Sequence, residues 1–283
     1  MAATKLNSVA VPKPWGRHDL APWSEAREDA VIGEMIYDGG DDAPLLIKAL
    51  FTSERLSVQV HPDDDAAREL GLPRGKDEAW IILAAEPGAT IGLGLRHAVS
   101  RAELAAAARD GSIEQLVDWL PASAGDVFYA PAGTIHAIGA GLTLIEVQQN
   151  LDLTYRLFDY GRPRDLHLDD GIAAAAPEPW SRQAPSRALG ERRRSLIEGP
   201  RFVVERVLVS GGAWLEPPVG RATWLAILAG SGRIDGLPCG AGEVWLAETR
   251  AHVEFDGDGE VLLAYPGAGI APGVWASARR QAA

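Results

Sequence analysis

Apolar and polar positions alternate with a period of two through much of this chain. In residues 56–62, Val58 and Val60 fall on one face of an extended segment, while Gln59 and His61 fall on the other. Residues 125–136 set Pro131 and Gly133 between two β-rich runs, a combination that turns the chain sharply and ends on His136. Residues 153–158, which include Arg156, are again β-prone. Helix-favouring composition is confined to two short stretches, 100–109 and 113–120, rich in alanine, leucine, glutamate and arginine, and Ser100 is placed to cap the first. The expected fold class is mainly β.

The chain also repeats itself. Residues 80–93 resemble 224–237 at an offset of 144, and residues 124–130 resemble 241–247 at an offset of 117. Such self-similarity predicts two β-barrels of one type in tandem, the first with a helical insertion around 98–120. The offsets put Ala222 where the first copy has Glu78, and Glu248 and Arg250 where it has Pro131 and Gly133. A second copy of that kind is expected to bind no metal, and His252, near the place of His136, is expected to be structural. Residues 173–194 read as a linker because of Pro177, Pro179 and Pro185, with Arg192, Arg193 and Arg194 as a solvated face. The expected domains are therefore 1–180 and 195–283.

Four residues stand out chemically. Gln59, His61, Glu78 and His136 supply two imidazoles, a carboxylate and an amide, a nitrogen and oxygen set that suits one divalent ion with positions left open for water or substrate. Taken singly, each reads as an ordinary strand-side residue. Together they form Gln-x-His, a Glu seventeen residues on, and a Gly-x5-Pro-x-Gly-x2-His element, a joint pattern far more specific than any short motif. His18, His97, His167 and the run Asp63, Asp64 and Asp65 read as surface residues.

Charge narrows the partners. With 27 basic against 39 acidic residues the net charge is −12, which argues against nucleic acid and anionic membranes. A phosphate ester would be repelled at long range, so a site for one needs convergent cations and hydroxyls, and Lys48, Lys76, Arg156 and Ser57 are candidates. The single cysteine, Cys239, excludes an internal disulfide and fits a reducing compartment. No run is apolar enough for a signal peptide or a membrane span. A cytoplasmic protein, monomeric or weakly homo-oligomeric, is expected.

Several motifs carry a resemblance. Residues 45–48, 56–64, 75–80, 132–137 and 146–159 are similar, in consistent order, to the mannose-6-phosphate isomerases of the cupin superfamily, and the match runs from about residue 15 to 171. The resemblance implies cupin-type jelly-roll barrels and one zinc ion per chain held by Gln59, His61, Glu78 and His136. It further implies a hexose phosphate isomerised through an enediol, whose developing oxyanion the metal, Arg156 or both would stabilise. Glu146 resembles the family's proton-transferring carboxylate or else merely buttresses Arg156, with Lys48 as the next candidate base; Ser57 and Lys76 resemble its phosphate contacts. One departure is Asn150-Leu151, where the family more often has small hydroxyl residues. Two rivals remain: an iron-dependent cupin oxygenase, which shares two histidines and a carboxylate, and a cupin that binds sugar phosphates without turning them over.

Overall fold

The computed structural model describes residues 2–21, 23, 30–181 and 186–277. Strands dominate, arranged in three antiparallel sheets. The six-stranded sheet runs, in spatial order, Asn7–Arg17, Ile32–Asp38, Leu45–Phe51, Leu142–Gln149, Glu78–Ala85 and Val127–Ala130. A five-stranded sheet faces it, in the order Tyr155–Phe158, Val58–Val60, His136–Ile138, Thr90–Leu95 and Val117–Pro121. The ten-stranded sheet holds the strands from residue 187 onward, together with Ala3–Lys5, which pairs with Val244–Ala247. No helix among the described residues is long and apolar enough to cross a membrane.

Alternation assigns each face a partner. Trp80, Ile82, Leu142 and Leu144 of the six-stranded sheet pack on Ile91, Leu93 and Ile138 of the five-stranded one. Val58 and Val60 point away from that space and pack on Leu104, Ala107 and Ala108 of the helix Arg101–Asp110. Helices α1 (Asp64–Glu69), α2 (Arg101–Asp110), α3 (Ile113–Leu116) and α4 (Leu168–Ala174) are the only ones among the described residues. The back of the six-stranded sheet, through Ala79, Ile81, Ile145 and Val147, packs on Phe202, Trp224, Ala226 and Leu262 of the ten-stranded sheet. Each buried Ile, Val, Leu or Phe side chain among them contributes about 1.5–3 kcal/mol, so the two halves share a substantial core.

Several expectations change. Ser100 caps α2 with a complete capping box through Glu103, but helix ends at Leu116. Residues 117–121 are strand because Val117, Trp119 and Leu120 pair with Leu95, Gly92 and Ile91, and that ladder outweighs local helix preference. The expected linker is shorter. Ala176 N–H donates to the Gly133 carbonyl and Val99 N–H to that of Pro177, which ties the first part to the preceding half, while Arg187 already lies in the ten-stranded sheet. Pro185 lies outside the described residues. Arg193 is not solvated: it is paired with Glu205, which is fully buried and also receives the Tyr265 hydroxyl.

The repeat is real in pairing but slips by one residue from the sequence alignment. Glu78 pairs with Ala130 and Thr223 with Ala247, so Thr223, not Ala222, occupies the place of Glu78. Trp80 accordingly faces the inner core and Trp224 the shared one, because a one-residue shift exchanges the faces of a strand. By the same pairing, His136 opposite Gln59 and Leu93 corresponds to Val253 opposite Ala213 and Ile234. Leu215 follows in the place of His61. His252 points the other way and packs at a tilt against Trp214, with centroids 4.7 Å apart.

Candidate metal centre

The facing sheets bring the four predicted ligands together. Gln59 pairs with His136 on one side and with Arg156 on the other in the five-stranded sheet, and Glu78 enters from the opposite sheet beside Gln148. His61 Nε2 lies 3.1 Å from Glu78 Oε1, and His136 Nε2 lies 3.6 Å from Glu78 Oε2. Potential ligand atoms of His61, Glu78 and His136 all fall within 4.8 Å of one another. Both histidines are 1% exposed.

Protonation decides what this cluster can do. His61 Nδ1 lies 3.1 Å from the Leu153 carbonyl and His136 Nδ1 lies 2.9 Å from that of Thr134. A carbonyl only accepts, so each Nδ1 carries the proton and each Nε2 presents a lone pair to the carboxylate. Burial first, and then the Lys76 ammonium, push His61 down to about 3, and burial lowers His136 as well, so neither ring is charged at neutral pH. His61 Nε2 and Glu78 Oε2 are buried without a hydrogen-bond partner. Acceptors facing acceptors in a dry pocket are reconciled by a cation, and the donor set fits a divalent ion.

Gln59 needs one adjustment. Its Nε2 faces His136 Nε2 at 3.1 Å and its Oε1 accepts from Ser57 Oγ at 3.1 Å. A half-turn of the amide brings Oε1 to the cluster and leaves the NH2 to donate to Ser57 Oγ.

A cavity of about 410 Å³ opens on this centre, its wall carrying Lys48, Ser57, Gln59, Lys76, Glu78, Glu146 and Arg156. Glu146 does not buttress Arg156. One of its oxygens receives Lys48 Nζ at 3.1 Å and the other receives Trp80 Nε1 at 3.0 Å. Burial, and then Glu78, raise the Glu146 pKa, as a general base working near neutrality requires. Lys48 moves the opposite way from a base: burial opposes its charge, but Glu146, Glu34 and Glu78 outweigh burial and raise its pKa, so it keeps its proton. Lys48 is thus a cation held beside Glu146. Lys76 is lowered by burial; its Nζ lies 3.7 Å from Glu78 and donates to Thr154 Oγ1 at 3.3 Å. Arg156 is half-buried and forms no ion pair among the described residues.

Sequence reasoning missed some of this. Trp80 and Gln148, which accepts from Lys48 Nζ at 2.8 Å, lie inside the quoted motifs, but their role depends on cross-strand register. His167 is half-buried rather than a surface residue, and its Nδ1 accepts from the Arg156 amide at 3.3 Å. Asp63 and Asp65 are exposed, yet Asp63 caps α1, and Asp64 accepts from Gly75 N and Gln149 Nε2.

No protein-family model matches the chain. A mannose-6-phosphate isomerase of Streptococcus mutans is 35% identical over 237 residues, spanning 78% of this chain and 74% of that protein. The mannose-6-phosphate isomerase ManA of Bacillus subtilis is 43% identical over 141 residues, 47% of this chain and 44% of its own length. Among solved structures, a mannose 6-phosphate isomerase from Bacillus subtilis superposes with a TM-score of 0.78 at 25% identity, covering 93% of this chain and 99% of that one.

Proposed function

The chain belongs to the mannose-6-phosphate isomerase family, and on that footing we propose that it interconverts mannose 6-phosphate and fructose 6-phosphate through an enediol at the cavity lined by Gln59, Glu78 and Glu146, beside His61 and His136. The observation that carries this reading is the pair of neutral imidazole Nε2 atoms turned on a buried carboxylate, with Glu146 held beside them by Lys48 and Trp80. One zinc ion per chain, bound through Gln59, His61, Glu78 and His136, would supply Lewis-acid polarisation of the sugar's oxygens. Glu146 takes the C2 proton of the open-chain aldose and returns it to C1 while a proton passes from O2 to O1. The raised affinity of Glu146 for protons suits both transfers. Lys48 and Trp80 fix its two oxygens. Arg156 places an unpaired guanidinium on the cavity wall, available to the developing oxyanion. Ser57 and Lys76 are assigned to the phosphate.

The same reading assigns the architecture. The first half is a cupin-type barrel with a helical insertion around 98–116, and the second is a barrel of the same type in which Ala213, Leu215, Thr223 and Val253 replace the ligands. All four are buried, which supports a packed, metal-free counterpart. Ala3–Lys5 crosses over to the second sheet, so the division is not a clean cut of the chain.

Nuclear magnetic resonance of the reaction in heavy water tests this. Mannose 6-phosphate should give fructose 6-phosphate carrying some deuterium at C1, because Glu146 exchanges with solvent between the two transfers. Glu146→Gln should abolish conversion with metal still bound. Wild-type turnover in that variant would remove Glu146 from the chemistry.

A further inference from the structure

One turn of the second half reaches the back of the metal centre at two points. Asp77, between Lys76 and Glu78, points away from the cavity. Its Oδ1 accepts from the Ala132 amide at 2.9 Å, in the turn that leads to His136, and its Oδ2 receives the Tyr129 hydroxyl. The Asp77 amide donates to Gln149 Oε1 at 3.0 Å, and Gln149 Nε2 donates to Asp64 Oδ1 at 3.0 Å. Asp64 also receives the Gly75 amide at 2.7 Å. One buried carboxylate therefore links the strand bearing Glu78 to the turn bearing His136.

Both ends of this chain of bonds meet turn 199–202, which Gly199 N–H closes on the Phe202 carbonyl. At one end, Arg201 Nη1 lies 3.0 Å from Asp64 Oδ2. At the other, Phe202 packs edge-on against Tyr129 with centroids 5.8 Å apart, and a Cβ on Gly199 would stand 2.9 Å from the Tyr129 ring. The fit leaves no room behind that ring. Resting on the metal centre proposed above, we propose that turn 199–202 is a positioning element: through Tyr129, Asp77 and Asp64 it holds Glu78 and His136 at ligating separation. The second half, which lacks ligands, thereby sets the affinity of the first.

The test is the zinc dissociation constant of metal-stripped full-length protein, measured by competition with a chromophoric chelator well below the unfolding temperature. Supports of metal ligands are typically worth 10–100-fold in affinity. Tyr129→Phe should weaken zinc binding about tenfold, and Arg201→Ala should shift it the same way by less, its ion pair being half exposed. Tyr265→Phe, which removes a comparable hydroxyl–carboxylate bond deep in the second half, should leave zinc affinity unchanged. Wild-type affinity in Tyr129→Phe, or an equal loss in Tyr265→Phe, overturns the positioning role while Glu78→Gln still loses zinc. If Glu78→Gln binds zinc as tightly as wild type, the metal centre itself falls, and the positioning role with it.

Discussion

At the scale of single residues, Lys76 separates two jobs. It is assigned to the phosphate, yet its ammonium already has Glu78 at 3.7 Å and Thr154 at 3.3 Å. Lys76→Ala should raise KM for mannose 6-phosphate about 10- to 100-fold with metal content unchanged, since a charge-assisted bond to an anion is worth about 1.5–3 kcal/mol. Loss of metal in that variant would place Lys76 in the metal centre instead. Cys239 gives a second check. Burial, and then Glu243, push its thiol from 9.0 up to about 11. The folded value lies above the unfolded one, so the contribution to stability is full below pH 9 and is lost as pH rises through about 11. A thiol reagent at pH 8 should therefore label native protein slowly and unfolded protein at once; rapid labelling of the native form contradicts the burial. That Gln59, His61, Glu78 and His136 gather at one point was legible because together they form one joint sequence pattern. Trp80, Gln148 and Asp77 were not, because each acts on a partner on another strand, and only register says which strand residues face each other.

At the scale of elements, helix α2 stands on a capping box in which Ser100 Oγ receives the Glu103 amide and the Glu103 carboxylate receives the Ser100 amide. Ser100→Ala should cost about 1 kcal/mol by chemical denaturation and leave turnover untouched, since α2 packs behind Val58 and Val60 rather than on the cavity. A fall in kcat of similar size to the stability loss would mean that α2 steers the ligand strand. The cap was readable in sequence because it is built from residues three apart. The strand at 117–121 was not, because its identity is set by pairing with Thr90–Leu95. The repeat shows the same limit: matching tryptophans aligned Trp80 with Trp224, whereas pairing aligns Trp80 with Leu225 and puts the two indoles on opposite faces.

At the scale of the whole molecule, the mainly β architecture and the location of the site in the first half followed from alternation and motif, but the union of the halves did not. Ala79, Ile81 and Val147 look like ordinary strand residues until they meet Trp224 and Leu262 across the shared core. That contact joins the second half to the first through one hydrophobic core. It also backs the sheet that carries Glu78 with a second layer. The central claim is that a metal held by His61, Glu78 and His136 is required for isomerisation, and the direct measurement is turnover of mannose 6-phosphate in a coupled assay before chelation, after it, and after zinc is returned at one equivalent per chain. Activity should vanish on stripping, return in proportion to bound zinc, and saturate at one ion. Full turnover by protein shown to be metal-free would contradict the account.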